Sequence, residues 1–485
     1  MRSEMFIAAF LIYYNRHYFS TYSLKEYLKR IPYVREKLLG ISLSLQNSLD
    51  TKYENIKRLP HQPSDIDEAI NKLEIVKSNQ QIDRISGIIY HQDKEHYSDL
   101  LKVFEKYAFT NPLHPDIFPE IREMEIDIIQ IVRNLFKGDE NVCGNVTSGG
   151  TESILLACYT YREWGRKEWG ITSPNIVAFH SVHPAFDKAC HYFGIKLIKV
   201  SSLFWMKLSI NLNTICVVGS APTYGYGIVD PISEMADHCV LRRVPMHVDC
   251  CMGGFLMPFL PNNPIHFREK GIVSISADTH KYGNTFKGSS VLLFRNFSYK
   301  KHQHFVKSDW EGGMYATPTI LGSKSGALIA TTWASLLRTG VDKYARMAKE
   351  IQTHVFKISE KFKDNSDITI IGKPWVNIIA FSSKTIDIYR VVAEMKDWNL
   401  SVLTNPPAFH FCVTSVHTAG SINKFNHDLD TAIMMIKAHP NKNLDGTLAI
   451  YGSATKIENS LFTDDVLSEY VGLLSQKRLK NKNEF

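Results

Sequence analysis

The sequence predicts an α/β fold: a large domain with a mostly parallel sheet, followed by a smaller α+β domain at the C-terminus. Between about residues 142 and 295, short β-rich runs alternate with helical patterns, which is typical of a parallel sheet covered by helices. From about residue 345 a helical pattern leads into two more strand-like runs. The 485 residues, 44% hydrophobic and 22% charged, suffice for two or three globular domains.

The predicted boundaries place an N-terminal helical arm at 1–110, the large domain at 111–345 and the small domain at 346–485. In the arm, the apolar run from Met5 to Tyr14 is well short of the roughly 20 residues that cross a bilayer as a helix. Alternating aromatic and basic residues follow, which fits either an interfacial amphipathic segment or an arm packed on a partner subunit. Apolar spacing predicts a helix over 65–77.

In the large domain, a proline-rich turn over 110–120 precedes an amphipathic helix, "IREMEIDIIQIVRNLF". A helix also follows the Gly-Gly turn of "TSGGTES", and a strand is expected to end at Val200. The other predicted strands are "NIVAFHS", "TICVVGSAP", "PMHVDCC", "IVSISAD" and "SSVLLF". In the small domain, "IIGKPWVNIIAFSS" and "HFCVTSVHT" flank a helix from Ile388 to Trp398.

Charge and cysteine content exclude some functions. The net charge of +7 is spread along the chain apart from a basic tail at 477–482, which argues against a nucleic-acid binder. The eight cysteines form no paired CxxC spacing and no disulfide framework, so we expect no metal site and a reducing compartment. Cys250 and Cys251 fit small core residues.

Polar residues follow the predicted strands, where ligands bind in parallel sheets. These positions are His180 to His183, Ser220, Asp249 and Asp278 to Lys281. Each has an ordinary explanation when taken alone: a plain Gly-Gly turn, an aspartate capping a helix, a structural histidine or a solvated lysine. The Gly-Gly turn matches neither the Walker pattern nor the dinucleotide fingerprint.

Taken together and in this order, the four features fit pyridoxal phosphate. That cofactor needs a helix start for its phosphate, a carboxylate for its ring nitrogen and a lysine for its aldehyde. A half-buried Asp249 needs a cationic partner. A partly desolvated Lys281 near other cations is expected to have a lowered pKa.

The motifs that carry a family resemblance are "NPLHPDIFP", "VTSGGTES", "HVDCCMGGF", "SADTHKYG", "KGSS" and "DWEGGMYATPTILGS". In this order they resemble the sphingosine-1-phosphate lyase family, which belongs to the fold-type I pyridoxal-phosphate enzymes beside the group II decarboxylases. The resemblance runs from about Ser64 to beyond Gly452.

The resemblance implies a role for each matching residue. Lys281 would bind the cofactor aldehyde, Asp249 would pair with the ring nitrogen, and His183 would stack on the ring. The residues implied to bind the cofactor are Gly150, Thr151, His183, Asp249, His280, Lys281 and, from the partner subunit of a homodimer, Ser323. Those implied to take part in catalysis are Tyr90, His183, Lys281 and Lys287. Those implied to line the substrate side are Asn111, His114 and Tyr315, with Tyr315 also a candidate to reach across the dimer.

The implied reaction is retro-aldol cleavage of the C2–C3 bond of a phosphorylated sphingoid base. Its products are a long-chain aldehyde and phosphoethanolamine, a step of sphingolipid degradation. The family also implies an endoplasmic reticulum membrane location with the catalytic domain facing the cytosol. This chain departs from the family in its short apolar N-terminal run and in the connection "SSLFWMKLSINLN" over 201–213, which is shorter than expected and could impair folding.

Two alternatives remain open. A group II amino-acid decarboxylase shares the lysine, aspartate and histidine, but His114, Lys287 and "NPLHPDIFP" favour the lyase. A catalytically silent dimeric binding protein is supported only by the shortened 201–213 connection.

Overall fold

The computed structural model describes residues 80–439 and, further on, residues 468 and 471. The predicted helix over 65–77, the apolar run from Met5 to Tyr14 and the basic tail at 477–482 lie outside the described residues.

A seven-stranded sheet forms the centre of the described chain. Its strands are β1 (Cys143–Thr147), β2 (Asn175–Phe179), β3 (Lys196–Val200), β4 (Thr214–Ser220), β5 (Met246–Asp249), β6 (Ile272–Ala277) and β7 (Ser290–Phe294). They lie in the order β1-β7-β6-β5-β4-β2-β3, and only β7 runs antiparallel to its neighbours. The predicted mostly parallel sheet is therefore confirmed. The run "CGNVT" of β1 was not predicted as a strand, because it is short and carries polar residues.

Helices cover both faces of this sheet. The helices of this part of the chain are α1 (Lys94–Tyr107), α2 (Pro119–Leu135), α3 (Gly150–Trp169), α4 (Pro184–Phe193), α5 (Leu203–Ser209), α6 (Ile232–Arg242) and α7 (Phe297–Lys300), and α2 to α7 contact the strands directly. Neighbouring strand residues such as Ile176 and Val177 belong to two different apolar clusters. Since successive side chains of a strand point to opposite faces, the sheet is buried on both sides.

The shortened connection folds as a brief helix, α5, between β3 and β4. Met206 is fully buried and Ile210 is nearly so, and these two side chains fix α5 on the sheet. Phe204 and Trp205 are exposed, because a helix of this length presents only one narrow face to the core.

A hairpin follows the large sheet, formed by β8 (Phe305–Trp310) and β9 (Gly313–Thr317). Helix α8 (Gly326–Phe362) comes next and is interrupted at Gly340, whose φ of 64° is not helical. The second sheet is antiparallel in the order β10-β11-β13-β12, with helices α9 (Ile388–Glu394) and α10 (Ala419–Ala438). Its strands are β10 (Thr369–Ile370), β11 (Ile378–Ser382), β12 (Ser401–Thr404) and β13 (Pro407–Cys412).

The smaller C-terminal sheet predicted from sequence is thus present, whereas the domain boundaries at 110 and 345 stay a prediction. Within the described residues, no helix combines the length and the apolar character that crossing a membrane requires.

Candidate active site

A cavity of about 360 Å³ lies at the carboxyl edge of the large sheet. This is the edge at which parallel sheets bind ligands, and the volume lies within the range of small-molecule sites. The predicted strand-end residues that line it are His183, Ser220, Asp249, Asp278, His280 and Lys281. The Gly-Gly turn, with Gly149, Gly150 and Thr151, forms the wall at the start of α3.

The Gly-Gly turn requires its glycines for two different reasons. Gly149 has a φ of 152°, which side chains rarely tolerate. A Cβ on Gly150 would lie only 2.8 Å from Oδ2 of Asp278, so any larger residue would push into the cavity wall. Because the first amides of a helix lack partners inside the helix, the start of α3 faces the cavity with free donors.

The Glu152 carboxylate fixes the conformation of this turn through hydrogen bonds. Its Oε2 accepts hydrogen bonds from the amide and the hydroxyl of Ser148, both at 2.6 Å, and its Oε1 accepts one from the amide of Ile320 at 3.2 Å. The side chain is buried, with 8% of the residue exposed. Glu152 thereby links the turn to the segment that follows the hairpin.

Asp249 ends β5 and is buried at the cavity wall. Its Oδ1 accepts a hydrogen bond from the amide of Cys251 at 3.1 Å. We expected a cationic partner, but among the described residues Asp249 forms no ion pair within 4.0 Å. A carboxylate in this position is suited to a protonated ring nitrogen brought by a ligand.

Lys281 lies on the turn after β6, where its Nζ is 3.0 Å from Oδ2 of Asp278. Burial alone would lower the pKa of the Lys281 ammonium, but the Asp278 carboxylate outweighs this effect and the pKa is raised. The expectation of a lowered pKa was therefore wrong. Burial of Asp278 likewise opposes ionisation, yet Lys281 and His280 lower the pKa of that carboxyl.

Both predicted histidines line the cavity, and in each of them the Nδ1 atom accepts a hydrogen bond from a backbone amide. His183 Nδ1 accepts from the amide of Ala185 at 3.1 Å and so caps α4. His280 Nδ1 accepts from the amide of Ser289 at 3.2 Å. Burial lowers the pKa of His280, which favours the neutral ring. With Nδ1 as acceptor, a neutral ring carries its hydrogen on Nε2.

A second cavity of about 360 Å³ adjoins the first and shares His280 and Lys281 with it. The predicted residues Tyr90 and Lys287 line this cavity, and the Lys287 Nζ lies 4.4 Å from the centre of the Tyr90 ring. The Lys287 residue is exposed, but its ammonium is partly desolvated, and this desolvation together with the charge of Lys281 lowers the pKa of Lys287 to about 8. Burial raises the pKa of the Tyr90 hydroxyl, so this group stays protonated.

The remaining predicted residues line neither of these two cavities. Asn111 Nδ2 donates to the hydroxyl of Ser323 at 3.0 Å. His114 lies on the turn after Asn111, since its amide donates to the Asn111 carbonyl. Tyr315 lies on β9 of the hairpin. Within one chain, Asn111, His114 and Ser323 therefore lie together, and neither they nor Tyr315 line the cavity that contains Lys281.

Sequence reasoning missed two contributions to this site. Asp278 was named only as a strand-end residue, although it pairs with Lys281. Glu152 was part of the quoted motif "GGTES", but nothing in the local pattern distinguishes a buried carboxylate from an exposed one. The signal that identifies Glu152 is its contact with Ile320, 168 residues away in sequence.

Comparisons with known proteins agree with this geometry. The family model described as the pyridoxal-dependent decarboxylase conserved domain matches residues 100–384. The chain is similar to sphingosine-1-phosphate lyase 1 of Rattus norvegicus, with 39% identity over 453 residues, or 90% of this chain and 77% of the rat protein. Similarity to the sphingosine-1-phosphate lyase of Saccharomyces cerevisiae is 34% identity over 471 residues, or 91% of this chain and 80% of the yeast protein.

Among solved structures, a sphingosine-1-phosphate lyase of Burkholderia pseudomallei superimposes with a TM-score of 0.79 at 32% identity. The match covers 88% of this chain and 99% of that one. A glutamate decarboxylase of Lactobacillus brevis matches with a TM-score of 0.69 at 19% identity, covering 82% and 98%, which shows a shared fold alone.

Proposed function

The chain belongs to the sphingosine-1-phosphate lyase family of pyridoxal-phosphate-dependent enzymes, and on this premise we propose which of its residues carry the reaction. It is a pyridoxal-phosphate-dependent lyase that cleaves the C2–C3 bond of phosphorylated sphingoid bases, a step of sphingolipid degradation. The observation that carries the assignment of residues is the cavity shared by the Gly-Gly turn, Asp249 and Lys281.

The residues of this cavity fit pyridoxal phosphate. Only glycine fits at Gly150, where free amides at the start of α3 suit a phosphate, and Asp249 lacks an ion-pair partner among the described residues. When bound, the cofactor supplies an aldehyde that joins an amine and a ring that accepts an electron pair. In our proposal Lys281 holds the aldehyde, Asp249 holds the ring-nitrogen proton, and His183 packs on the ring.

The phosphate end is assigned to Gly150, Thr151 and His280. The neutral His280 ring would donate from Nε2, because its Nδ1 is occupied by the Ser289 amide. Glu152 keeps these donors in position through Ser148. No cationic side chain is required, since helix-start amides bind anions well.

Cleavage needs a base for the C3 hydroxyl and an acid for C2. The hydroxyl loses its proton, the C2–C3 bond breaks, and C2 regains a proton, so a long-chain aldehyde and phosphoethanolamine form without water or a redox partner. We propose that Lys287 and Tyr90 lie beside the substrate, where they can take part in these proton transfers or bind its phosphate. A pKa of about 8 lets Lys287 bind an anion or exchange a proton near neutral pH, whereas the Tyr90 hydroxyl keeps its proton and does not act as a base.

The proposal includes a homodimer. Asn111, His114, Tyr315 and Ser323 lie outside both cavities of one chain, so the partner subunit would bring Ser323 to the cofactor phosphate and Tyr315 to the substrate. The hairpin that carries Tyr315 suits such an exchange, because its strands are almost entirely exposed in a single chain.

We also propose an association with the endoplasmic reticulum membrane, with the catalytic part facing the cytosol. The support is the family and an amphiphilic substrate. Fractionation of cells that express the full-length chain would test it, and recovery only in the soluble fraction would contradict it.

The test of the function is an absorbance spectrum of the purified chain with pyridoxal phosphate, followed by a phosphorylated sphingoid base. We expect a visible cofactor band and release of a long-chain aldehyde. Lys281→Ala is the control: it should lose the band and roughly 10⁴-fold or more in turnover while staying folded.

A band without aldehyde would contradict the proposed reaction. Release of carbon dioxide from an amino acid would then identify a decarboxylase. Absence of any band would overturn the cofactor assignment and, with it, the role of Lys281.

A further inference from the structure

Two chemically different groups of side chains line the second cavity. The first group is polar and comprises Lys281, Lys287 and the Tyr90 hydroxyl, and Lys281 also lines the first cavity. The second group, the apolar wall, comprises Ile88, Ile89, Tyr97 and Phe286, and the lining is completed by His91, His280, Asn284 and Thr285. A cavity lined both by cations and by an apolar wall matches an amphiphile that has an anionic head.

The apolar wall continues onto the surface of α1. Tyr97 stacks on Phe286 with ring centres 5.7 Å apart, and Phe104 meets the same ring edge-on at 6.3 Å. Tyr97, Leu101 and Phe104 are spaced four and three residues apart, so they share one face of the helix. Leu101 and Phe104 are 58% and 36% exposed. An apolar stripe therefore leads outward from the cavity.

Ile88 is held at this wall by an unfavourable backbone conformation. Its φ is +60°, a region in which a β-branched residue is an outlier. The side chain is 61% exposed, so burial of Ile88 does not compensate for this conformation. Backbone strain of this kind persists at functional sites, where it places a particular side chain.

From these observations we infer that the apolar wall of the second cavity, formed by Ile88, Ile89, Tyr97 and Phe286, binds the hydrocarbon chain of the substrate. The inference rests on the proposed function and assigns its chain-length specificity. The hydrocarbon chain leaves Lys281 along Phe286 and continues over the exposed face of α1.

The experiment compares two phosphorylated 2-amino-3-hydroxyalkanes, one with 18 carbons and one with 6, on the holoenzyme. For Phe286→Ser we expect kcat/KM to fall about 10- to 100-fold with the long substrate, because contact with an aromatic ring of the cavity wall is lost. With the short substrate we expect less than about a threefold fall, since its chain ends before the wall. Phe297→Ser is the matched control, because Phe297 is 59% exposed and lines neither cavity.

The variant Ile88→Gly distinguishes a role of Ile88 in binding the hydrocarbon chain from a role in stabilising the fold. Glycine tolerates the positive φ, so we expect the Tm to rise by about 1–3 °C while the long-chain kcat/KM falls. A purely structural role for Ile88 would leave the ratio between the two substrates unchanged.

Equal losses for both substrates in Phe286→Ser, or no loss for either, would overturn the inference. If the wild-type enzyme cleaves neither substrate, the proposed function itself fails. If it cleaves both and the variants keep the wild-type ratio, only the chain-binding assignment fails.

Discussion

The carboxyl edge of the large sheet and the loop region around Asn111 and Ser323 both carry family motifs. Only the residues of the sheet edge line one of the two cavities described above. At the sheet edge, Asp249 ends β5, Lys281 lies on the turn after the neighbouring strand β6, and both line one cavity. In the loop region, Asn111 and Ser323 are joined by a hydrogen bond of 3.0 Å and line neither cavity.

The difference lies in what holds each region. The strand ends are fixed by ladder hydrogen bonds and by a core such as Val248 and Ile275, which are fully buried. The hairpin before Ser323 is almost entirely exposed, so the packing of one chain constrains it weakly. The side chains of the sheet edge meet in one cavity within a single chain, whereas a role in catalysis for the loop region depends on the proposed partner subunit.

Asp249→Asn tests the sheet edge and has the largest expected effect. The asparagine side chain can still accept the Cys251 amide, so the fold should be kept. Loss of the fixed negative charge should lower kcat by roughly 10²- to 10³-fold, as for other preorganised groups. Steady-state kinetics with saturating pyridoxal phosphate measure this.

Asp230→Asn is the matched control for this prediction. Asp230 is also buried, and it accepts from the amide of Ser220, but it does not line the cavity. Burial raises the pKa of Asp230 to about 7, so an amide there removes only about half a negative charge at pH 7. If both variants lost kcat equally, Asp249 would have no special role.

The same contrast explains what the sequence predicted well. The strands that end at Ser220, Asp249 and Ala277 are apolar runs, and their periodicity identifies both the sheet and the positions beyond it. The pairing of Lys281 with Asp278, which reversed the expected pKa shift, depends on a turn geometry that no periodicity reveals.

Contacts between residues far apart in the sequence could not be predicted from local patterns either. Strand β1 joined the sheet although "CGNVT" lacks a strong apolar pattern, because it pairs with β7 nearly 150 residues later. The role of Glu152 in holding the Gly-Gly turn likewise depends on distant Ile320. Local patterns therefore predicted the strand-end residues that line the cavity, while tertiary contacts determine their hydrogen bonds and ion pairs.

Ser323→Ala tests the loop region, with a moderate expected effect. If the partner's Ser323 binds the cofactor phosphate, loss of one hydrogen bond to a charged group should raise the Kd of pyridoxal phosphate roughly tenfold. Ser325→Ala is the control, because Ser325 precedes α8 and makes no side-chain capping bond. Titrating the apoenzyme of each variant with cofactor gives the two Kd values. Equal values would mean that Ser323 does not bind the cofactor phosphate and only contacts Asn111.

The smallest expected effect concerns the boundary between the two cavities, where Lys287 lies. Its pKa of about 8 means that the side chain is a cation below pH 8 and becomes neutral as the pH rises further. If that cation binds the substrate phosphate, KM should increase above pH 8, by less than about tenfold between pH 7.5 and 9. Lys287→Arg should remove this part of the increase, since arginine stays charged. Measuring KM for both enzymes under identical conditions cancels the titration of the substrate itself, and parallel pH profiles would exclude Lys287 as the phosphate ligand.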